Sequence, residues 1–315
     1  MTLKVSILGV GNMGKNHLRI LSMLKSVEVT NIFDVNEDAL RELSKQYNVP
    51  YTVDADEAID SAEAVVIVTP TTTHFDYFSK CVGKVQKVFL EKPLAKDLQD
   101  AESIRTLAKE HNIYVQCGFI ERFNPVVSEL KRIVDTEKVI NIDLTRTNRL
   151  SSRITDVDVV LDLMIHDIDL ALHLNGPVKS VVANGKEEAG LVAFASALLK
   201  HENGSLSRIL ASRMTEKKIR SIQVTTDQTY INAELLRKEL FVNKQSMVTQ
   251  EQDQPYTITS VEQQVSVKPQ EALLLELQAF VSACSGNIAE GIPTVDCGVE
   301  ALRVGDLILK EIYSA

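Results

Sequence analysis

Val5-Ser6-Ile7-Leu8-Gly9-Val10-Gly11-Asn12-Met13-Gly14 decides how this chain begins to fold. A short apolar run that stops at glycine suits a strand buried on both faces of a parallel sheet. Each glycine then has a mechanical use. Gly9 permits a tight turn, Gly11 lets the backbone approach a pyrophosphate, and Gly14 lets the next helix pack close to the strand. The N-terminus of that helix offers unpaired N–H groups and the positive end of a dipole. A bare G-x-G-x-x-G says little. This one follows a strand, opens a helix, and has Asp34 20 residues after Gly14, at the end of the next apolar run. Gly9, Gly11, Gly14 and Asp34 are therefore the expected dinucleotide-binding residues.

Asp34 also bears on which dinucleotide is held. A carboxylate there accepts hydrogen bonds from the adenosine ribose 2′-OH and repels a 2′-phosphate. Val35 and Asn36 bring no cation to hold such a phosphate. The expected cofactor is NAD rather than NADP. Asp34 is equally suited to capping the helix that starts near Glu37, and both duties are compatible.

Outward from the glycine turn, strands alternate with helices. Lys4–Leu8, Val27–Phe33, Ala64–Val68, Val85–Leu90 and Ile113–Val115 read as strands, with helices after Gly14, over Glu37–Tyr47 and from about Asp97 to His111. That alternation predicts a doubly wound parallel sheet, the Rossmann arrangement, over residues 1–120. Val88-Phe89-Leu90 runs into Glu91-Lys92-Pro93, placing Lys92 at the carboxyl end of a strand, where such sheets hold ligands. Lys92 is a candidate for hydrogen bonding to a reacting hydroxyl; a plain surface lysine is the alternative. Thr69-Pro70-Thr71-Thr72-Thr73-His74 ends the preceding strand on the same edge, either as a ligand loop or as a turn before a helix.

The 315 residues carry a net charge of -9, which disfavours a nucleic-acid partner. The longest clean apolar run, Ala189 to Leu199, is far short of the ~20 residues a spanning helix needs. No basic-then-apolar leader precedes the first strand, and Cys81, Cys117, Cys284 and Cys297 lack metal-type spacing. The expectation is a cytoplasmic protein with reduced thiols, no membrane contact and no metal.

After Gly118 the pattern changes. Val139–Thr147, Val178–Ala183, Leu191–Leu199, Ser205–Ser212, Ser221–Thr226, Thr229–Leu235 and Glu239–Val242 read as strands, with Asn203-Gly204 as a hairpin turn. They predict an α+β domain over 121–315, with an open-faced, mainly antiparallel sheet, closed by helices over about Pro269–Ser285 and Val295–Tyr313. One further helix, Val159 to Leu174, is apolar nearly all round yet carries Asp162, His166, Asp169 and His173 at helical spacing. Burying such groups is costly unless they are paired or functional. A hydrogen-bonded seam, a metal site and a catalytic cleft all remain open; a histidine there suits removal of a hydroxyl proton. Arg122, Arg146, Arg149 and Arg153 either form a solvated rim or meet a phosphorylated substrate.

GVGNMG, Asp34, TPTTTH, EKP and Asp162-x-x-x-His166-x-x-Asp169, in that order, resemble the glucose–fructose oxidoreductase, inositol dehydrogenase and MocA family over essentially the whole chain. Gly118 to Pro125, Arg153 to Val157 and His166 to Asp169 look most like its UDP-N-acetylglucosamine 3-dehydrogenases. The resemblance implies that Lys92 holds and polarises the reacting hydroxyl, that His166 is the general base or shares that duty, and that Asp162 orients the sugar or the histidine. It adds Asn12 and Met13 to the NAD-binding residues and places Thr69, Pro70, His74 and Glu91 near the nicotinamide, with Arg122, Arg149, Arg153 and Asp169 toward the substrate. It further implies a homodimer or homotetramer built on the C-terminal sheet. An inositol or free-sugar dehydrogenase and a non-enzymatic NAD-binding regulator are the rival readings. Val157–Leu161 lacks the glycines that many relatives carry before the Asp/His helix, and Met164 is bulky.

Overall fold

The computed structural model describes residues 2–149, 157–249 and 257–314. The chain divides into two compact units: residues 1–123 with 271–303, and residues 124–270 with 304–315. A single cut near residue 120 therefore misses one feature, because Glu271–Arg303 belongs with the N-terminal unit.

In the first unit, β1 (Leu3–Leu8), β2 (Val27–Phe33), β3 (Tyr51–Thr52), β4 (Ala64–Ile67), β5 (Lys87–Glu91) and β6 (Tyr114–Gly118) form one parallel sheet ordered β3-β2-β1-β4-β5-β6. This is the doubly wound order that reverses beside β1 and leaves a crevice at the strands' carboxyl ends. The helices are α1 (Asn12–Met23), α2 (Glu37–Tyr47), α3 (Ala55–Asp60), α4 (His74–Cys81) and α5 (Leu98–Glu110). Strands β1, β4 and β5 are buried almost throughout, which is why they read as unbroken apolar runs.

The returning segment supplies what the parallel sheet lacks on one face. In α8 (Ala272–Cys284), Leu273, Leu277, Phe280, Val281 and Cys284 join the core of Val5, Ile7, Leu18, Leu21 and Phe89. Phe280 meets Phe89 edge to face at 5.7 Å. Gln116 donates to the Glu276 carbonyl at 3.1 Å, and the Cys117 N–H donates to Pro293 at 2.9 Å. The Cys117 bond and an antiparallel bridge between Gln116 and Thr294 cover the β6 edge of the sheet, which would otherwise offer unpaired groups.

The second unit is built on eight strands: β7 (Val139–Thr147), β8 (Val178–Glu188), β9 (Leu191–His201), β10 (Leu206–Ser212), β11 (Ile219–Thr226), β12 (Thr229–Glu234), β13 (Glu239–Thr249) and β14 (Thr257–Gln264). Their order is β14-β13-β12-β11-β7-β10-β9-β8, antiparallel except for the parallel β7–β10 pair. Across one face runs the row Ala197, Ile209, Leu144, Ile222, Ala233 and Leu240, all fully buried. The neighbouring row on the other face, Leu198, Arg208, Asp143, Gln223 and Asn232, is mostly polar or charged. This is the expected one-sided sheet, with α6 (Pro125–Val134) and α7 (Ile165–Asn175) as the unit's shorter helices. The last helix, α9 (Val295–Ser314), begins in the first unit and ends in the second.

Candidate active site

The glycine turn behaves as its spacing predicts. Gly9 sits at φ +95, and a Cβ there would lie 2.7 Å from the Val68 carbonyl oxygen. A Cβ on Gly14 would fall 2.0 Å from the Gly9 oxygen, so the close packing of α1 on β1 requires glycine. Gly11 faces open space, with nothing within 4 Å of its missing Cβ. It is also the N-cap of α1 and makes no side-chain cap. The first-turn N–H groups at Asn12, Met13 and Gly14 therefore lack intrahelical acceptors and suit an anion.

Asp34 pins the glycine turn and does not cap the helix that follows. Its Oδ2 accepts from the Val10 N–H at 2.8 Å and its Oδ1 from the Asn36 N–H at 3.0 Å. The capping of α2 falls to Asn36, which accepts from Ala39. A carboxylate has about four acceptor positions, so each oxygen keeps capacity for a ribose diol. A bare helix terminus, an open Gly11 and a carboxylate pinned beside the turn together fit the adenosine and pyrophosphate parts of NAD.

At the next strand ends, the side chains mostly hold one another. His74 is 1 % exposed; its Nδ1 lies 3.0 Å from the Pro93 oxygen and its Nε2 3.0 Å from the Thr69 oxygen. It bolts the loop after β4 to the loop after β5. Burial pushes its pKa down, against the opposite pull of the carbonyls and of Glu91. A neutral imidazole has a single N–H, so it serves one of the two carbonyls at a time. Thr73 donates to the Pro70 oxygen at 2.7 Å, closing the Thr69–Pro70 turn.

Glu91, the last residue of β5, is also buried. Its Oε1 lies 3.0 Å from Nε2 of His17, and its Oε2 accepts from the Lys92 N–H at 2.9 Å. Both oxygens are thus engaged by protein groups. Burial opposes ionisation, but the His17 bond and the Lys92 amide outweigh it and hold the carboxyl below the usual range. Lys92 follows at the strand's carboxyl end, with a cis peptide to Pro93. Arg122, half exposed on the short turn Ile120–Phe123, donates to the Gly291 oxygen at 3.2 Å.

In the second unit, the apolar Asp/His helix is not one regular helix. Val160–Met164 forms a π-turn, and α7 starts at Ile165. Asp162 lies on the wide turn, and His166 on the first turn of α7. Asp162 and His166 are half buried, as is His173, whereas Asp169 is 1 % exposed. The i, i+4 stripe of a single α-helix therefore does not describe this segment. π-turns inside helices recur at functional sites.

Asp162 pairs with a residue that the pattern did not single out. Arg213, just past β10, donates from Nη2 to Asp162 Oδ2 at 2.9 Å and from Nη1 to the Val157 oxygen at 2.5 Å. Arg146 is a correction. The arginine group suggested for a phosphorylated substrate included it, yet it is fully buried on β7. Its Nε donates to Asp167 Oδ2 and its Nη2 to Asp167 Oδ1, both at 2.8 Å, and Asp167 is itself 2 % exposed. Being already satisfied on both prongs, it has no role at a substrate phosphate. Arg149 is exposed and pairs with Glu216. Arg153 lies outside the described residues. Among the described residues, no three His, Cys, Asp or Glu side chains gather to hold a metal, and no helix is long and apolar enough to cross a membrane.

Comparison with known proteins completes the picture. The profile of an oxidoreductase family with an NAD-binding Rossmann fold matches residues 3–119, and that of the GFO/IDH/MocA C-terminal domain matches residues 141–231. The UDP-N-acetylglucosamine 3-dehydrogenase of Acidithiobacillus ferrooxidans is 25% identical over 304 residues, covering 96% of this chain and 94% of that one. Its solved structure superposes with a TM-score of 0.89 at 23% identity, covering 100% of this chain and 99% of that chain. The myo-inositol 2-dehydrogenase of Thermotoga maritima is 29% identical over 67% of this chain and 69% of its own. A levoglucosan dehydrogenase in complex with NADH has a TM-score of 0.84 at 17% identity, covering 100% of this chain and 98% of that chain. With both halves matched in order, the chain belongs to the Gfo/Idh/MocA oxidoreductases, a family of NAD-dependent sugar and polyol dehydrogenases.

Proposed function

We propose that this enzyme oxidises a ring hydroxyl of a sugar nucleotide, with C3 of UDP-N-acetylglucosamine as the first candidate. The observation that carries the reading is the end of β5, where a buried and clamped Glu91 holds the backbone of Lys92 at the ligand edge of a dinucleotide-binding sheet. The likeness to the Acidithiobacillus enzyme over nearly the full length of both chains supports the choice of substrate.

Bound NAD supplies the hydride acceptor. The backbone of Gly11, Asn12, Met13 and Gly14 holds the pyrophosphate, and Asp34 holds the ribose. Thr69, Pro70, His74 and Glu91 shape the loops toward the nicotinamide. Lys92 hydrogen-bonds the reacting hydroxyl and fixes its orientation, and His166 takes the hydroxyl proton. Asp162, itself held by Arg213, orients the sugar or that imidazole. Arg122, Arg149 and Arg153 are the cations offered to the nucleotide phosphates, and Asp169 supports the substrate from within α7. General acid–base help of this kind is worth about 10²- to 10⁴-fold, and positioning adds to it. The open sheet face is the surface for assembly as a homodimer or homotetramer.

NADH absorbance followed with UDP-N-acetylglucosamine, UDP-glucose, myo-inositol and free hexoses tests the proposal. UDP-N-acetylglucosamine is expected to give the highest kcat/KM, and Lys92→Met to abolish turnover with little change in NAD affinity. Faster turnover of myo-inositol would move the assignment to the polyol branch, which the Thermotoga relative favours. Tight NAD binding without turnover of any of these would favour a regulator.

A further inference from the structure

His17 lies in the middle of α1, the helix whose N-terminus forms the dinucleotide cradle, and it is fully buried. Its ring meets Phe89 edge to face at 5.1 Å, a place that a phenylalanine or leucine could fill without burying a polar group. Its Nδ1 is buried and has no hydrogen-bond partner among the described residues. Its polar contact is Nε2 to Glu91 Oε1, at 3.0 Å. An ionised carboxylate only accepts, so Nε2 is the donor.

The other oxygen of Glu91 accepts from the Lys92 N–H. Gly118, paired with Glu91 across β5 and β6, would place a Cβ 2.9 Å from Glu91 Oε2. Glu91 is thus held by His17 on one oxygen and by the Lys92 amide on the other, in space that Gly118 leaves by having no side chain. Removing the His17 donor frees one oxygen and leaves a buried carboxylate under-satisfied, which costs more than the bond itself is worth. The relief open to it is rotation, and rotation releases the Lys92 amide.

We propose that His17 is a positioning residue for Lys92: through Glu91 it fixes the backbone from which the lysine reaches the substrate hydroxyl. The inference rests on the reading of Lys92 as the group that holds that hydroxyl. It also makes α1 a two-ended device, with its N-terminus for the cofactor phosphates and its middle turn for the lysine.

His17→Phe keeps the ring packing and removes the donor. It is expected to lower kcat by about 10- to 100-fold, the usual cost of a misplacement near 1 Å, while KM for NAD and its affinity by fluorescence titration stay within about twofold. His17→Gln, whose amide nitrogen reaches the Nε2 position, is expected to restore kcat to within about threefold of wild type; His17→Asn, one bond shorter, is not. A normal kcat in His17→Phe overturns the inference, as does equal turnover in the Gln and Asn variants, the pair that decides if the Phe variant does not fold. A loss of kcat in parallel with a loss of NAD affinity would make His17 a part of the cofactor fold alone and also overturns it. Lys92→Met separates the levels. If it is inactive while His17→Phe is normal, only the His17 inference falls; if it keeps near-normal turnover, the role of Lys92 falls and takes the inference with it.

Discussion

Asp34 offers two things with one carboxylate: a bond that pins the glycine turn through the Val10 N–H, and spare acceptor positions for the ribose contact proposed above. Asp34→Ala removes both. It is expected to weaken NAD binding by about 10- to 100-fold, equivalent to one or two charge-assisted hydrogen bonds, and to bring the NAD and NADP affinities closer together. Fluorescence titration with both dinucleotides reads the ratio; a preference for NAD as strong as in wild type would remove Asp34 from cofactor choice. The glycines and Asp34 were legible because their requirements are local: a positive φ at Gly9, a 2.0 Å clash at Gly14, and a strand end. Arg213 and Asp167 were not legible. Arg213 meets Asp162 from 51 residues away, and nothing in either local pattern reports that meeting. Asp167 lies beside His166, on a helix read as apolar nearly all round. The position is indeed buried, but a buried arginine waits there. His17 stood in view three residues after Gly14, though only its contact with Glu91 gives it meaning.

Elements show the same division between local and distant causes. The β9–β10 hairpin could be placed from Asn203-Gly204, and Gly204 takes φ +88. The β8–β9 hairpin turns on Ala189 and Gly190, both at positive φ, with an alanine where asparagine is favoured. Strand β8 runs past Ala183 to Glu188 through polar residues, because it is an edge strand and charge there blocks pairing with other chains. Strand β14 escaped notice because its residues lack a clean alternation. The Asp/His helix was found in outline, while its opening π-turn was not, since no period in the sequence marks an inserted residue. The buried Arg146–Asp167 pair ties β7 to α7 and makes a clear prediction. Arg146→Met takes the paired guanidinium away from the buried Asp167 carboxylate, and is expected to lower stability by about 3–5 kcal/mol. Arg146→Met combined with Asp167→Leu is expected to recover most of that loss, since a matched apolar pair need not desolvate charge. Urea unfolding of the three proteins measures it. Equal stability of wild type and Arg146→Met would show that the pair contributes nothing, and a selective loss of UDP-sugar affinity without loss of stability would return Arg146 to the substrate phosphate.

Across the molecule, each unit contains a buried histidine whose pKa burial pushes down. In the first, His74 joins the loops after β4 and β5. In the second, His201 is fully buried, with Nδ1 2.7 Å from the Gly176 oxygen and Nε2 2.8 Å from Ser207 Oγ. The neutral ring suits His201 well: Nδ1–H donates to the carbonyl, and Nε2 accepts from the hydroxyl. Burial pushes the pKa of both histidines down. The sign follows. Unfolded, each binds a proton as pH falls through about 6.5; folded, each resists until a lower pH. The unfolded state then holds more protons, so unfolding becomes easier on acidification. The stability these groups contribute is whole above their unfolded value, erodes below it, and levels off beneath their folded values. Glu91 acts later, its contribution being present above the ordinary glutamate range and lost at more acid pH, because its carboxyl is held low. The window just below 6.5 therefore belongs to the histidines. Urea midpoints measured between pH 7.5 and 5.5, about one unit either side of the free histidine value, are expected to fall in wild type. They should fall less steeply in His201→Gln, and less again when His74→Gln is added. Each substitution also costs stability at every pH, so the slope is the quantity to compare. A slope unchanged in the double variant would show that neither histidine is held neutral by the fold, and that the acid sensitivity arises from other groups.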